Sequence, residues 1–418
     1  MEKNKKNKPN FSSEFKNFFK FLLSEMKPKG KLLTPFNIIA AFVIALGGVL
    51  IFFRFYNGLA SVTNLSQEFP WGIWVGFDVI TGVAFAGGAY VVTFLVYILR
   101  MEKYHAIVRV TVLNGLLAYM FYAGALLLDL GKPWNIINPV IGNSFGMNSV
   151  MFLVAWHFLL YMTAEFLEFS PAIAEWLGWK KVRKVLHGMT LATVIVGITL
   201  SILHQAGLGG LFLMAKSKIH PLWYSEFIPI LFFVSSIFAG LSMVILEGSI
   251  THKVFFRKLT PELKRTHHDI LLGLSKICGG TMFVYLFLKA LTFLHEQHWH
   301  YIFSPMGNWF LVEIVFFVVL PMIMFTQAAR YRNVKLVKAS SILTLLGIAL
   351  NRLNISIIAF KWDAVERYVP TWMEIEITMA IILVEIVVLG WIINRMPVLG
   401  ESPMWVKEQE KAAENLAH

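Results

Sequence analysis

Long apolar runs alternate with short polar connections along almost the whole chain. A helix that crosses a membrane needs about 20 predominantly apolar residues, and ten segments of the sequence satisfy this requirement. The pattern predicts an all-α polytopic membrane protein with ten transmembrane helices, and the short connections leave no room for an extramembrane domain. The ten segments are residues 36–56, 72–99, 106–130, 147–169, 185–208, 223–247, 271–294, 308–327, 336–360 and 371–394.

The positions of Lys and Arg predict the orientation of these segments. Of the 37 Lys and Arg residues, 28 lie in the two termini and in every second connection, whereas the other connections hold 5. Because basic residues concentrate on the cytoplasmic side of membrane proteins, we expect both termini to be cytoplasmic. The lysine-rich residues 1–34 lack a cleavable signal pattern and are predicted to form a cytoplasmic basic tail or a surface helix.

Composition excludes several classes of protein. Hydrophobic residues make up 57% of the chain and charged residues only 15%, whereas soluble domains carry about 25% charged residues. The net charge of +12 is spread over many short connections, which argues against a nucleic-acid-binding patch. The single cysteine, Cys278, excludes a disulfide framework, a Cys₄ iron–sulfur site and a zinc ribbon within this chain.

Ionisable residues inside membrane segments are costly and are functional candidates by default. On the outer side, Asp78 is expected roughly 9 Å deep and His204 roughly 6 Å deep, from a rise of 1.5 Å per residue, and Asp129 ends its segment. Structural roles remain open for all three. Asp129 could lead into a turn, Asp78 could cap its helix, and His204 could be a hydrogen-bonded packing group.

A second set of ionisable residues lies toward the cytoplasm. Glu165, Glu168 and Glu247 occur near the inner ends of their segments, and His157 lies between the two zones. These residues are candidates for a proton relay. The alternative for Glu165 and Glu168 is simple charge pairing with the basic cluster at residues 180–184.

Quinone reduction is one chemistry that would use this arrangement. It consumes two electrons and two protons, and it needs a hydrogen-bond donor or acid near each quinone oxygen. His204 with an aspartate could supply these groups, and Tyr224 could shape an apolar slot for the ring. A bis-histidine haem is disfavoured, because His157 and His204 lie at roughly 15 and 6 Å depth. Composition alone leaves a secondary transporter open as an alternative.

Several motifs together resemble the NrfD/HybB family, in particular its branch of membrane subunits of periplasmic-facing Ni/Fe hydrogenases. The resemblance covers the chain from about residue 34 to residue 399. The motifs are Phe-Pro-Trp-Gly-Ile-Trp-Val-Gly-Phe-Asp at 69–78, Leu-Leu-Asp-Leu-Gly-Lys-Pro-Trp at 127–134, Leu-His-Gln-Ala-Gly-Leu-Gly-Gly-Leu at 203–211, Lys-Ile-His-Pro-Leu-Trp-Tyr at 218–224, and the segments at 352–360 and 370–375. The lysine-rich N-terminal tail and the loop at 294–300 depart from the pattern of this branch.

The resemblance implies two four-helix bundles plus flanking helices. Residues 35–210 would form the first flanking helix and the N-terminal bundle with the quinone region. Residues 211–360 would form the second bundle, and residues 361–418 the last helix and a cytoplasmic tail. The family's fold also implies that this chain binds no haem or metal, so that any redox metals lie in a partner.

The resemblance further implies a function in the cytoplasmic (inner) membrane. Electrons would pass between a periplasmic ferredoxin-like iron–sulfur subunit and menaquinone or ubiquinone at a site toward the periplasmic side. The catalytic partner would be a Ni/Fe hydrogenase or a multihaem cytochrome. The motif matches place Asp78, Asp129 and His204 in the quinone region and Glu165, Glu168 and Glu247 among the inner carboxylates. A membrane anchor that docks the iron–sulfur subunit without quinone chemistry of its own remains an alternative.

Overall fold

A computed structural model describes residues 11–29, 33–138, 141 and 147–399 of the chain. Ten helices in this part are long and apolar enough to cross a membrane, which confirms the predicted all-α polytopic fold. The regular structure described is helical, and one isolated antiparallel bridge joins Ile219 to Phe360. The helices are α1 Phe11–Met26, α2 Pro35–Asn57, α3 Trp74–Ile98, α4 His105–Asp129, α5 Val150–Trp176, α6 Lys180–Leu213, α7 Ile228–Val254, α8 Pro261–His295, α9 Pro305–Arg330, α10 Val334–Ile358 and α11 Trp372–Arg395.

Three of these helices begin with a hydroxyl residue followed by proline. The pairs are 34–35, 260–261 and 304–305, at the starts of α2, α8 and α9. In each pair the hydroxyl accepts a backbone N–H three residues later, at 3.2, 3.2 and 3.0 Å. Proline suits the next position because its fixed φ is already helical and its missing N–H would lack a partner there anyway. The chain therefore specifies these three helix starts locally.

The membrane helices pack in two groups of four. Within α3–α6 each helix contacts the next, and α6 also contacts α3. Helices α7–α10 are arranged in the same way, with α10 against α7. Helices α3 and α6 both contact α7, which joins the groups, while α2 and α11 pack together and α11 also lies against α4. The residue boundaries assigned from the sequence to these regions stay a prediction.

Small residues bring the two groups into close contact between α3 and α7. An ideal Cβ added at Gly240 would lie 2.0 Å from the backbone nitrogen of Gly88 and 2.4 Å from the carbonyl carbon of Gly87. A side chain at position 240 would therefore collide with backbone, which cannot rotate away. Glycine at such crossings is typical of membrane helices, because helix association in lipid depends on close van der Waals contact.

Helix α1 lies within residues 1–34, for which the sequence predicted either a basic tail or a surface helix. Its Phe21 ring lies 5.5 Å from the ring of Trp176, and Phe18 lies 6.2 Å from Trp179, at the turn between α5 and α6. Arg395 at the end of α11 donates to the Lys27 carbonyl at 2.7 Å. Aromatic and charged contacts thus attach α1 to the ends of three membrane helices. Residues 1–10, 30–32 and the predicted tail at 400–418 lie outside the described residues.

The connections at the two ends of the helix array differ in charge, and we call these ends the neutral end and the basic end. The neutral end contains the connections 58–73, 214–227, 296–304 and 359–371, together with residues 130–138 and 147–149. The basic end contains the connections 99–104, 177–179, 255–260 and 331–333, together with α1.

Candidate functional site

A π-helical stretch at the start of α3 carries Asp78. Residues Trp74–Val79 form this π-helix, a distortion that is often found at functional sites. The Asp78 side chain is only 1% exposed. Its Oδ2 accepts a hydrogen bond of 2.9 Å from Thr378 of α11, whereas its Oδ1 is buried with no hydrogen-bond partner among the described residues. The Oδ1 atom of Asp78 is thus available for a hydrogen bond with a ligand or a water molecule.

Asp129 lies at the end of α4, where Arg54 of α2 organises the backbone. The buried Arg54 donates to the Leu128 carbonyl at 2.6 Å and also to the Leu130 carbonyl. This guanidinium therefore satisfies carbonyls at a helix C-terminus that have no intrahelical partner, and it interacts electrostatically with Asp129. The Oδ1 atoms of Asp129 and Asp78 are both buried without a hydrogen-bond partner in the described structure. The two carboxyl groups interact electrostatically.

A buried glutamate of α11 holds this region together. Glu374 is 0% exposed and accepts from the Thr371 N–H at 2.8 Å in a capping box. It also accepts from the Tyr368 hydroxyl, which itself accepts the Ile73 N–H at 3.1 Å. Burial, together with this hydrogen bond to Glu374, raises the pKa of Tyr368. The start of α11 is thereby fixed against the residues that precede the π-helix.

His204 of α6 is buried in the first group of helices, against α4 and α5. Its Nδ1 lies 3.2 Å from the Val154 carbonyl, so we assign the ring proton to Nδ1, since a carbonyl can only accept. The Nε2 is then a free acceptor, and it is buried without a partner among the residues described. The rings of Tyr119 and Phe158 lie 5.7 and 5.6 Å from the imidazole.

The structure brings Asp78 and Asp129 together but does not bring His204 into contact with either. Within the described part of the chain, no hydrogen bond or ion pair joins His204 to these aspartates. Tyr119 and Tyr122, about one turn apart on α4, each adjoin one of these groups. Tyr119 packs on His204, and Tyr122 interacts electrostatically with Asp78. Sequence reasoning missed both tyrosines, although Tyr122 lies seven residues before Asp129 and hence on the same face of the helix.

Tyr224 belongs to the connection between α6 and α7. Its hydroxyl donates to the Leu213 carbonyl at 3.3 Å, and the Lys216 ammonium lies 5.8 Å from its ring centroid. Burial raises the pKa of Tyr224 above its ordinary value. Its described contacts are therefore with the end of α6, and its predicted role at the quinone stays a prediction.

The same connection carries His220, which sequence reasoning did not assign to the site. His220 is 4% exposed and lies against the rings of Trp362 and Tyr301, at 5.0 and 5.5 Å between centroids. Its Nδ1 accepts the Leu222 N–H at 3.2 Å. Burial, with a smaller contribution from His298, lowers the pKa of His220 to about 4.

Polar side chains continue from His204 toward the basic end along α5. The Tyr161 ring lies 4.7 Å from that of Tyr119, and its hydroxyl donates to Glu165 Oε1 at 2.6 Å. Glu168 follows one turn later and lines a cavity of about 590 Å³ at the basic end. His157 lies on the same helix and interacts electrostatically with His204, so the structure places it beside that histidine rather than beside the glutamates.

Glu247 of α7 lies on the opposite side of α4. It accepts a hydrogen bond from Asn114 and interacts electrostatically with Glu385 of α11. Glu247 and Asn114 both line two cavities of about 20 Å³ each. Tyr122 also lines the first cavity, and His267 also lines the second. Each has room for about one water molecule. The next residue, Gly115, packs against Glu165, as a Cβ there would lie 2.5 Å from Glu165 Oε1.

A separate polar network is buried in the second group of helices. Glu313 accepts from Trp223 Nε1 at 2.7 Å and from Asn351 Nδ2 at 2.6 Å. Arg352 donates to Asn351 Oδ1 at 2.9 Å and to Ser235 at 2.7 Å. Asn351 thus connects the glutamate to the arginine, and these bonds join α7, α9 and α10 to the connection between α6 and α7.

Among the described residues, no group of three or more His, Cys, Asp or Glu side chains could hold a metal ion.

Comparison with known proteins identifies related membrane subunits. A family model described as "Polysulphide reductase, NrfD" matches residues 61–360. A protein of Nitratidesulfovibrio vulgaris (strain Hildenborough) is 41% identical over 374 residues, covering 89% of this chain and 96% of its own length. The Escherichia coli (strain K12) protein named "Probable Ni/Fe-hydrogenase 2 b-type cytochrome subunit" is 30% identical, covering 88% and 94%. A second N. vulgaris protein, "Menaquinone reductase, integral membrane subunit", is 26% identical, covering 87% and 93%.

Proposed function

Because this chain belongs to the NrfD family, as its motifs predicted, we propose that it is a quinone-reactive subunit that passes electrons between a periplasmic iron–sulfur subunit and menaquinone or ubiquinone. Its relatives include membrane subunits of hydrogenase and menaquinone reductase complexes, and the chain is an integral membrane subunit of an oxidoreductase complex. The menaquinone reductase relative supports the choice of quinone as substrate.

One observation carries the proposal. Three buried polar atoms near the neutral end, His204 Nε2, Asp78 Oδ1 and Asp129 Oδ1, have no hydrogen-bond partner among the described residues. Buried polar groups are nearly always satisfied in proteins, so an exception needs an explanation. A quinol head, which forms when a quinone takes up two electrons and two protons, has two hydroxyl groups that donate hydrogen bonds and would supply partners for such acceptors.

We assign the first contacts of the quinone head to His204 and Asp129. Asp78 supports them through its electrostatic interaction with Asp129, and Tyr224 borders the site. When the quinol forms, the two quinone oxygens each gain a proton. An imidazole and a carboxyl group can each hold and deliver a proton to such an oxygen.

Protons would reach this site from the basic end along two branches separated by α4. Glu168 and Glu165 form the first branch, which continues through Tyr161 and Tyr119 toward His204, with His157 beside that histidine. Glu247 begins the second branch, through the two water-sized cavities toward Tyr122 and Asp78. If the basic end is cytoplasmic, as the positive-inside rule indicates, uptake along either branch would move charge across the membrane.

The redox metals would belong to partner subunits. A periplasmic ferredoxin-like iron–sulfur protein would dock at the neutral end and exchange electrons with the quinone. A Ni/Fe hydrogenase or a multihaem cytochrome would act as the catalytic subunit. This arrangement places the complex in the cytoplasmic (inner) membrane with both termini of this chain in the cytoplasm, and it locates the quinone in the region of residues 35–210.

Substitution of the two principal residues tests the proposal in the assembled complex. His204→Ala and Asp129→Asn should each lower quinone-coupled turnover at least tenfold, since a positioned acid or base contributes about 10²- to 10⁴-fold. The matched controls, His268→Ala and Asp269→Asn, change exposed residues near the basic-end start of α8, away from the proposed docking face, and should leave turnover unchanged. Normal turnover in both site variants would rule out this assignment.

The same assay separates the two proton branches. Glu165→Gln and Glu247→Gln should slow turnover with assembly intact, while Glu262→Gln, an exposed residue in the first turn of α8, should not. If neither relay variant differs from the control, the proposed branches are wrong even when His204→Ala is inactive.

A further inference from the structure

A deep groove opens at the basic end between the two halves of the first helix group. Its cavity of about 590 Å³ is walled by α3, α4, α5 and α6. A second cavity of about 380 Å³ adjoins it and shares Tyr97, His187 and Thr190 in its walls. Volumes in this range are typical of sites that hold small molecules, so the groove is large enough for a ligand of that size.

One wall of the groove is a single face of α6. Lys180, Arg183, Lys184 and His187 are spaced by three or four residues, and Thr190 and Val194 continue the same row. Residues at this spacing lie above one another on a helix. The row begins with cationic side chains and becomes apolar over 14 residues, a distance of roughly 21 Å at 1.5 Å per residue.

The other walls of the groove also change from charged to apolar side chains. On α4, Arg109 lies beside Val108 and Val112, and Phe169 and Ala172 of α5 provide further apolar surface. The Arg109 guanidinium is fixed, because it donates to the Pro397 carbonyl at 2.8 Å and to Glu175 Oε2 at 3.1 Å. A charged mouth therefore leads to an apolar interior on both sides.

The cations at the mouth have no counter-charge in the described part of the protein. The side chains of Lys180, Arg183 and Lys184 form neither an ion pair nor a hydrogen bond with any described residue. The lining of the two cavities contains two carboxylates, Glu168 and Glu102. Glu168 packs against Gly197, 13 residues farther along α6 than Lys184, and Glu102 belongs to the adjoining cavity. Neither forms an ion pair with Lys180, Arg183 or Lys184, so the mouth at these three residues is positively charged.

We propose that this groove binds an anionic glycerophospholipid of the surrounding leaflet, with its phosphate at Lys180, Arg183 and Lys184 and an acyl chain along Thr190 and Val194. Basic pockets between membrane helices bind anionic headgroups of this kind. The wall polarity matches a molecule that is charged at one end and apolar along its length. The membrane supplies such a molecule at this depth, since the mouth lies at the ends of the helices.

The test is retention of phosphatidylglycerol by the full chain, purified in detergent and examined by native mass spectrometry after titration with that lipid. The variant Arg183→Gln/Lys184→Gln should bind phosphatidylglycerol about tenfold or more weakly, because each basic residue near a membrane surface makes a sizeable contribution. The control Lys253→Gln/Arg257→Gln removes the same charge from exposed positions at the same end and should bind as the unchanged chain does. Equal weakening in both variants would overturn the proposal.

Two further measurements distinguish a lipid from a free anion. Thr190→Phe narrows the apolar part of the groove and keeps every cation, so it should weaken phosphatidylglycerol binding as well. Inorganic phosphate at millimolar concentration should not displace the lipid. Displacement by phosphate, or full binding by Thr190→Phe, would show that the groove recognises only an anion and would contradict the acyl-chain assignment.

Discussion

At the scale of single residues, the aspartates at the neutral end depend on an arginine that the sequence did not single out. Arg54 lies in an apolar helix, within the first of the ten predicted segments. It is 2% exposed and donates to two carbonyls at the end of α4. Its partners are backbone atoms, which carry no sequence signal, so only the packing of α2 against α4 reveals the contact.

Replacement of Arg54 should therefore destabilise the protein. Arg54→Met removes charge-assisted hydrogen bonds to the Leu128 and Leu130 carbonyls, and we expect a loss of about 2–3 kcal/mol in the free energy of unfolding. A denaturant titration in detergent measures this loss. Lys132→Met, at an exposed position of the next connection, should change the free energy by less than about 0.5 kcal/mol. A similar small change for Arg54→Met would mean that its contacts are not stabilising.

His220 should give the protein a measurable pH dependence. Its pKa is lowered to about 4 in the folded chain, whereas an unfolded chain has a histidine pKa of about 6.5. Above pH 6.5 the His220 imidazole is neutral in both the folded and the unfolded chain, so its titration does not reduce stability there. Between about pH 6.5 and pH 4 the unfolded chain binds a proton that the folded chain does not, so stability falls with pH.

The corresponding measurement is the apparent melting temperature between pH 7 and pH 4. The wild type should lose more stability over this interval than His220→Gln, which cannot bind the proton. Parallel curves for the two proteins would show that His220 does not titrate as its burial predicts.

At the scale of helices, hydropathy predicted the number of spans but not their ends. The fifth predicted segment began at residue 185 and the seventh at residue 271, whereas α6 begins at Lys180 and α8 at Pro261. The additional turns are polar and reach beyond the apolar zone, so a hydropathy argument omits them although they are helical. The extra turn of α6 carries Lys180, Arg183 and Lys184, and this is why the groove was not predicted.

The π-helical segments were also beyond the reach of sequence reasoning. Residues Trp74–Val79, Phe94–Ile98, Val315–Val319 and Asn354–Ile358 form such segments. A change from i→i+4 to i→i+5 bonding alters the rotation of the side chains without altering hydropathy. Asp78 could therefore be predicted to lie in the membrane, but its approach to Thr378 could not. Tyr119 lies on the regular α-helix α4, and its contact with His204 could not be predicted because it depends on how α4 packs against α6.

The contact between α3 and α7 provides a test at this scale. Gly240→Ala places a methyl group against the backbone of Gly87 and Gly88, and overpacking of this kind costs about 1–3 kcal/mol. Gly248→Ala, on the same helix, meets no atom within 4 Å and is the matched control. Thermal unfolding in detergent should show a lower melting temperature for the first variant alone. An unchanged melting temperature for Gly240→Ala would contradict the close approach.

At the scale of the whole molecule, the sequence predicted the all-α polytopic fold and the family, and both are confirmed. Apolar segment length and a set of spaced motifs determine these properties, and each is written directly in the residues. The sequence does not determine in the same direct way which residues meet at the site. His204 and Asp129 were predicted to share one quinone head, but no hydrogen bond or ion pair joins them in the described part of the chain, so their joint role stays a prediction.

The missing cysteines have a consequence at this scale. With Cys278 as its one cysteine, the chain cannot hold a Cys₄ iron–sulfur cluster, which agrees with the proposal that electrons arrive from another subunit. A quinone-reactive subunit and a simple anchor for that subunit share this arrangement. They differ in whether quinone accompanies the chain.

The quinone content of the purified complex is the measurement that tests the central claim most directly. The complex is isolated with its partner subunits, its lipids are extracted, and menaquinone and ubiquinone are quantified per chain for wild type, His204→Ala and His268→Ala. We predict that wild type and His268→Ala retain close to one quinone per chain and that His204→Ala retains much less. A complex that keeps its partner subunits but carries no quinone above the background of the extraction would contradict the account.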